Sequence, residues 1–291
     1  RSLYEVKAEI AYASSGEIES LLLEQGAENW SMYEDTVAQR AWLTGIFYSE
    51  NDARRAWDEL YLHLPRMPTA KPDIRRLNDC DWRHSYKAHF KAWHFGPLHW
   101  VPVWERESFD VPEGHKVLWL DPGMAFGTGN HETTRLCVEQ LVTLAEGRGP
   151  DGYVVDAGCG SGILALSAVL LGFQDVTGFD IDPEAVRVSQ ENAVFNGLGG
   201  RAEFFTGDLA TGLISRKAMV LLANIQADLL MRFARELVAA TAPGGMLILG
   251  GILASELETV RAKFTVAAPG WVSDTRVLGE WSNLTLARPP S

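Results

Sequence analysis

The chain has 291 residues, of which 46% are hydrophobic and 22% charged, and its formal net charge at pH 7 is −12. This composition is typical of a globular protein with one large or two smaller domains, and the acidic balance argues against nucleic acid as a partner. We expect no membrane span and no signal peptide, because no apolar run reaches about 18 residues, and the three scattered cysteines predict neither a metal site nor disulfides and fit a cytoplasmic protein.

Residues 1–76 are predicted to form a small α+β domain. The expected elements are a strand at Leu3–Ile10, a helix from Ser14 or Ser15 to about Gly26, strands at 30–33 and 41–48, a helix from Asn51 or Asp52, and a strand near Ile74. The order β-α-β-β-α-β indicates a ferredoxin-like domain. This fold serves many functions, so by itself it predicts none.

Residues 77–96 are predicted to form a linker helix after a proline-rich stretch. Four aromatic residues recur there at the spacing of one helix face: Trp82, Tyr86, Phe90 and Trp93. We interpret this face as packing that joins two domains. His84 and His89 are five positions apart, which is a poor spacing for a shared metal ion.

Residues 97–291 are predicted to form a Rossmann-like α/β domain. Two strands, at 98–104 and 117–120, are expected to form an antiparallel lead-in. From Val154 onwards strands alternate with helices, which predicts a doubly wound, mostly parallel sheet with helices on both faces. The expected strands are 154–155, 176–181, 202–205, 219–223 and 246–250; the expected helices are 163–171, 183–196, 227–240 and 254–264; and the tail, 272–278 and 281–287, is expected to form an antiparallel terminal hairpin.

A glycine-rich turn follows the first strand of this domain and precedes a helix: Asp156-Ala157-Gly158-Cys159-Gly160-Ser161-Gly162. Glycine lets the backbone approach a ligand, and Gly158 and Gly160 are therefore candidate ligand contacts. The spacing differs from the dinucleotide fingerprint G-x-G-x-x-G. Asp156 would repel a pyrophosphate but would suit the ammonium and sulfonium groups of S-adenosylmethionine (AdoMet). A tight connection without a ligand remains the alternative.

Asp180 ends the second strand, twenty-two positions after Gly158. A carboxylate in this place accepts hydrogen bonds from ribose hydroxyls, so the pair predicts a nucleoside-bearing ligand. Asp182 is interpreted as the cap of the helix that begins at Pro183. Cys159 is interpreted as a small residue that fits the turn, since no basic neighbour would activate its thiol.

Two further polar residues follow strands at the same predicted edge. Asp208 follows the third strand and is a candidate contact to the adenine amino group, with an ordinary loop aspartate as the alternative. Asn224 follows the fourth strand, where its amide would hold an incoming amine with the lone pair aimed at the methyl group. Asn224 is thus the candidate catalytic residue and a cofactor contact, with a turn asparagine as the alternative.

The stretch from Asp121 to Thr134 is rich in glycine and threonine and precedes a helix. We interpret it as a wall over the cofactor, with Thr134 donating hydrogen bonds near the helix N-terminus. His131 is a candidate base, although a structural role is the alternative.

These motifs together resemble those of the bacterial ribosomal protein L11 methyltransferases. The matching stretches are Asp-Pro-Gly-Met-Ala-Phe-Gly-Thr-Gly-Asn-His-Glu-Thr-Thr, Asp-Ala-Gly-Cys-Gly-Ser-Gly-Ile-Leu-Ala, Gly-Phe-Asp-Ile-Asp-Pro, Ala-Asn-Ile and Gly-Ile-Leu-Ala-Ser, in this order across residues 121–255. The resemblance implies a class I methyltransferase domain, AdoMet bound by Thr134, Gly158, Asp180 and Asn224, and an N-terminal domain and linker that recognise the ribosomal protein. It also implies methylation of several amino groups of that protein.

The chain departs from the family pattern at two places. Lys217-Ala218-Met219-Val220 lacks an acidic residue that the family usually carries, and Gln226 stands where the family usually has leucine, near the expected acceptor amine. A related enzyme that acts on another protein or a small molecule therefore stays open, as does a non-catalytic AdoMet-binding module. The glycine spacing disfavours a dinucleotide dehydrogenase.

Overall fold

The computed structural model describes residues 3–24, 29–35, 39–47, 49–65, 68, 71–77, 92–121 and 132–290. The chain divides into two compact units, Arg1–His89 and Phe90–Ser291, and the division falls within the predicted linker. Across these described ranges, no helix combines the length and apolarity that crossing a membrane requires.

The N-terminal unit is an antiparallel four-stranded sheet in the order β2-β3-β1-β4, with two helices packed on one face. Its elements are β1 Leu3–Ile10, α1 Ser15–Glu24, β2 Trp30–Asp35, β3 Arg40–Phe47, α2 Glu50–Tyr61 and β4 Asp73–Leu77. The order and the sheet confirm the ferredoxin-like prediction. Helix α2 begins one or two residues earlier than expected, because the Ser49 side chain caps it by accepting from Asp52 N at 3.1 Å.

The C-terminal unit begins with a three-stranded sheet: β5 Trp93–Phe95, β6 Leu98–Pro102 and β7 Lys116–Leu120. Strands β5 and β6 pair antiparallel, whereas β6 and β7 pair parallel, with Leu98 opposite Lys116. The predicted antiparallel pairing of the second and third strands is therefore wrong. The connection of residues 103–115 is long enough to return the chain to the same end of the sheet.

The predicted linker helix is wrong at its C-terminal end, because Trp93–Phe95 is a strand. Residues 78–91, which include His84, His89 and most of the aromatic face, lie outside the described residues.

The main sheet has seven strands in the order β10-β9-β8-β11-β12-β14-β13. The strands are β8 Tyr153–Ala157, β9 Asp175–Asp180, β10 Glu203–Thr206, β11 Ala218–Asn224, β12 Thr241–Leu253, β13 Val272–Leu278 and β14 Trp281–Ala287; the helices are α3 Glu132–Arg148, α4 Ile163–Leu171, α5 Pro183–Phe195, α6 Leu209–Gly212, α7 Ala227–Arg232, α8 Ala234–Ala240 and α9 Leu257–Ala267. The sheet is parallel from β10 to β12, and β14 runs antiparallel to both of its neighbours. This topology confirms the doubly wound domain with a terminal hairpin.

Two helical predictions need correction. The helix expected over 227–240 is two helices that meet at Phe233. The helix expected from Ala254 begins at Leu257, because Ala254 N donates to Glu280 O at 2.8 Å and Glu256 Oε2 accepts from Leu253 N at 3.1 Å. These bonds hold the chain in a turn after β12.

The core of this unit lies on both faces of the main sheet. Val154 and Leu222 pack on one face with α3 and α4, whereas Val155 and Leu221 pack on the other with α7 to α9. Because side chains alternate along a strand, Asp156 shares the face of Val154, beneath α3 and α4. This placement brings a carboxyl group into the core directly below the glycine turn.

Candidate active site

The candidate site lies at one edge of the main sheet. Strand β8 pairs in parallel with both β9 and β11, placing Asp156 opposite Gly178 on one side and Leu222 on the other. The carboxyl ends of three neighbouring strands therefore meet. The glycine turn, Asp180 and Asn224 follow those ends, as expected for a ligand site in a doubly wound sheet.

The glycine turn has a backbone conformation that residues with a side chain adopt only with strain. Gly158, Gly160 and Gly162 have φ angles of 78°, 51° and 77°. Gly158 N and Cys159 N both donate to Phe179 O, at 2.8 and 3.0 Å, which anchors the turn to β9. A Cβ atom on Gly158 would lie 2.5 Å from Ile225 Cγ2. The turn thus requires glycine both for its conformation and for its contact with the segment after β11.

Asp180 is held by backbone groups on both of its carboxylate oxygens. Oδ2 accepts from Gly160 N at 2.9 Å, and Oδ1 accepts from Asp182 N at 3.0 Å. Asp182 caps α5 by accepting from Glu184 N at 2.8 Å, which confirms the interpretation of this residue. Asp180 is therefore fixed against the turn, at the place predicted for a ribose contact.

Asp156 is almost completely buried, with 1% of its surface exposed. Its Oδ2 accepts from Ala165 N at 3.1 Å, while Oδ1 has no hydrogen-bond partner in the described part of the chain. Burial raises the pKa of this carboxyl to about 7, opposed by the Ala165 hydrogen bond and assisted by the charge of Asp180. The unpartnered oxygen is an acceptor that calls for a donor or a positive charge.

The described cysteines are inert thiols. Cys159 is buried in the turn, and burial, with a smaller effect of the Asp156 charge, raises the pKa of its thiol. The same two causes raise the pKa of Cys137 in α3. These directions support the interpretation of Cys159 as a residue chosen for its size.

Asp208 is exposed and caps α6. Its Oδ1 accepts from Thr211 N at 2.7 Å and from Thr211 Oγ1 at 2.6 Å, and these hydrogen bonds lower the pKa of the carboxyl. The cap gives Asp208 a local structural role, and its contact with an adenine stays a prediction.

Asn224 is bound through both ends of its amide. Oδ1 accepts from Thr133 Oγ1 at 2.6 Å, and Nδ2 donates to Thr134 Oγ1 at 3.1 Å. Thr133 Oγ1 also accepts from Gly251 N at 2.5 Å. The first turn of α3 is thereby joined to the ends of β11 and β12, and the structure brings two predicted site residues, Thr134 and Asn224, into contact.

Sequence reasoning missed several residues of this cluster. Thr133 donates to Asn224 directly, and Gly251 N donates to the same Thr133 hydroxyl. A Cβ atom on Gly250 would lie 2.6 Å from Asn224 Oδ1. The paired threonines and the paired glycines were visible signals, but no local rule connects segments that are 91 positions apart.

Other predicted features lie partly outside the described residues. His131 and the glycine-rich wall fall within 122–131, which the structure does not describe. Gln226 is exposed at the start of α7, two residues after Asn224. Among the described side chains, no group of three or more His, Cys, Asp or Glu residues is arranged to hold a metal ion.

Comparison with known proteins identifies the family. The sequence model described as "Ribosomal protein L11 methyltransferase (PrmA)" matches residues 5–289. The ribosomal protein L11 methyltransferase of Geobacter metallireducens is 46% identical over 216 residues, which cover 74% of this chain and 69% of that protein. The one from Azotobacter vinelandii is 37% identical over 295 residues, covering 92% and 96% respectively.

A solved structure agrees with these sequence matches. The ribosomal protein L11 methylase from Lactobacillus delbrueckii subsp. bulgaricus superimposes with a TM-score of 0.61 at 29% identity, covering 69% of this chain and 100% of that one. The resemblance expected from the motifs is thus confirmed, and the chain belongs to the ribosomal protein L11 methyltransferase family.

Proposed function

We propose that this chain transfers methyl groups from AdoMet to amino groups of ribosomal protein L11, on lysine side chains, the N-terminus or both. Family membership supports the reaction and the substrate. The observation that carries the proposal in the structure is the convergence of the glycine turn, Asp180 and Asn224 on one sheet edge. The proposed substrate is assembled into ribosomes in the cytoplasm, so the proposal places the enzyme there.

The described residues fit AdoMet chemically. The turn at Gly158 and Gly160 presents backbone without side chains, and Asp180 offers fixed carboxylate oxygens suited to ribose hydroxyls. Asp156 holds a buried oxygen without a partner, which favours a ligand that carries positive charge. In the proposal these four residues, with Thr134, Asp208 and Asn224, hold the cofactor. When bound, AdoMet supplies a methyl group that its sulfonium already activates.

The protein's own contribution is position and orientation. Asn224 lies at the end of β11 with its amide held by two threonines, so its oxygen is set to accept a hydrogen bond from an amine. A lysine amine has an ordinary pKa of about 10.4 and must lose its proton before it attacks. A site that excludes water favours this neutral form. Proton loss to water before binding needs no base from the chain.

The experiment is incubation with labelled AdoMet and purified L11, followed by mass spectrometry of the product. We expect label on lysine or N-terminal amines, and none after Asn224→Ala. The control is Gln174→Ala, which removes an exposed amide just before β9, at the opposite end of that strand from Asp180. Unchanged methylation by the Asn224→Ala variant would remove Asn224 from its assigned role.

Gln226 motivates a second candidate, an enzyme of similar build that methylates another protein or a small molecule. This exposed residue follows Asn224 closely, where it would meet an acceptor. The same incubation with a mixture of large-subunit proteins, RNA and small amines discriminates the two. Label that appears only on RNA or a small molecule would contradict the L11 proposal, and AdoMet binding without any turnover would indicate a non-catalytic module.

A further inference from the structure

The hydrogen bonds around Asn224 form a chain with one favoured direction. The backbone N–H of Gly251 can only donate, so Thr133 Oγ1 accepts from it, at 2.5 Å. The hydroxyl hydrogen of Thr133 is left to donate, and its acceptor among the described residues is Asn224 Oδ1, 2.6 Å away. With the amide reversed, Thr133 Oγ1 would use its second lone pair to accept from the NH2 group, and its own buried hydrogen would have no acceptor among the described residues. The amide oxygen is therefore the favoured partner of Thr133, because an unmet buried donor is costly.

The remaining amide atom of Asn224 is therefore the nitrogen, and it donates to Thr134 Oγ1 at 3.1 Å. The chain thus runs from Gly251 through Thr133 and Asn224 to Thr134. The two ends of an asparagine amide are otherwise nearly equal in shape, and a half-turn of the side chain exchanges them. A backbone donor two hydrogen bonds away, Gly251 N, favours one of the two orientations.

We propose that Thr133 is a positioning residue that fixes the orientation of the Asn224 amide. The inference rests on the proposed function in assigning Asn224 to the acceptor amine. With Thr133 in place, Asn224 Oδ1 keeps its second lone pair for an N–H of that amine, and the hydroxyl hydrogen of Thr134 is left to donate to an oxygen of the cofactor. With the amide reversed, the NH2 group would donate to the lone pair of the neutral amine, which the attack on the methyl group requires.

The surrounding atoms leave these hydrogen-bonded side chains little room to move. Thr133 and Thr134 are buried. A Cβ atom on Gly250 would lie 2.6 Å from Asn224 Oδ1, 2.6 Å from Cys137 Sγ and 2.9 Å from Thr133 Oγ1. Since the cluster is tightly packed, a broken bond in it leaves a buried group unsatisfied.

The first test uses the unmodified protein and needs no activity. In labelled protein, cross-relaxation between the Asn224 side-chain NH2 and neighbouring protons reports the orientation, with the resonances assigned by their loss in Asn224→Asp. We expect contacts from the NH2 protons to the Thr134 side chain. Contacts to Thr133 instead would place the nitrogen at the other end and overturn the inference. This result is independent of whether L11 is the substrate.

The second test removes the hydroxyl. Thr133→Val keeps the shape of the side chain but cannot donate, whereas Thr133→Ser keeps the hydroxyl. We expect Val to shift the Asn224 NH2 resonances and to lower kcat/KM for L11 about 10- to 100-fold, from the loss of a buried hydrogen bond, and Ser to restore both. Thr285→Val, a buried threonine in β14, is the matched control and should change neither.

Each outcome of the second test decides the inference. Resonances in Thr133→Val that match the wild type would show that the hydroxyl does not orient the amide. Equal loss of kcat/KM in Thr133→Val and Thr133→Ser would assign the effect to packing rather than to hydrogen bonding. If Thr133→Val fails to fold, Thr133→Ser and the contacts in the unmodified protein still decide it.

Discussion

Replacement of Asp156 by asparagine is expected to remove a pH dependence from the stability of the fold. The Asp156 carboxyl is buried, and its pKa is about 7 in the folded chain against an ordinary value of 3.8. The unfolded chain releases this proton near pH 4, whereas the folded chain holds it until about pH 7. Between these values a rise in pH favours the unfolded chain, which binds fewer protons. The contribution of Asp156 to the free energy of unfolding is therefore complete below about pH 4 and is lost as the pH rises to 7.

The size of the effect follows from the two pKa values. They differ by about three pH units, and each unit corresponds to about 1.36 kcal/mol, so the loss amounts to about 4 kcal/mol above pH 7. Most of this loss occurs below pH 6, and about 1 kcal/mol of it falls between pH 6 and 8. Asparagine keeps an oxygen for Ala165 N but carries no proton to release. Any cost of its NH2 group is the same at each pH and cancels from the pH trend.

The assay is urea unfolding of wild type and Asp156→Asn at pH 6, 7 and 8, followed by circular dichroism. As the pH rises from 6 to 8, the free energy of unfolding of the variant should increase by about 1 kcal/mol relative to that of the wild type. Asp175→Asn, an exposed aspartate at the start of β9, is the control and should show no trend. A difference between Asp156→Asn and wild type that stays constant from pH 6 to 8 would refute the reasoning. Calorimetry with AdoMet adds a second readout, since the proposed cofactor role predicts weaker binding by the same variant.

Two further changes test the turn and the core. Gly158→Ala should lose AdoMet binding and at least about 2 kcal/mol of stability, since its φ of 78° disfavours alanine and its Cβ would lie 2.5 Å from Ile225 Cγ2. The control is Gly197→Ala, which has a φ of 70° but open space around the new Cβ. In thermal unfolding it should lose only the stability that the unfavourable φ costs. Trp100→Phe should lose about 1–3 kcal/mol in urea unfolding, because buried Trp100 Nε1 donates to Ser167 Oγ at 2.9 Å, and an unchanged midpoint would contradict this.

Much of the C-terminal unit was predictable because its signals are local. The alternation of strands and helices, the glycine turn and the cap at Asp182 each depend on residues within a few positions of one another. The pairing of β6 with β7 was not predictable in this way. Strand β6 is buried along its whole length, so its pattern does not indicate the direction of its partner, and the long connection between the two strands permits the parallel pairing.

The positions of the candidate site residues at strand ends were easier to predict than the hydrogen bonds between them. Asp180 and Asn224 could be placed at strand ends from the sequence, because parallel strands share one carboxyl edge. The bond from Thr133 to Asn224 joins residues 91 positions apart and depends on how α3 packs against the sheet. The break between α7 and α8 at Phe233 likewise has no proline or glycine to announce it.

Asp180 has a consequence for the speed and cost of ligand capture. Its carboxylate is clamped by Gly160 N and Asp182 N, so in the proposed role as a ribose contact no rotamer would have to be selected on binding. Ordering a free side chain costs about 0.5–1.5 kcal/mol, and here that entropy is lost during folding. The site is preorganised at this point, and association there should be limited by diffusion and by access rather than by rearrangement of the acceptor.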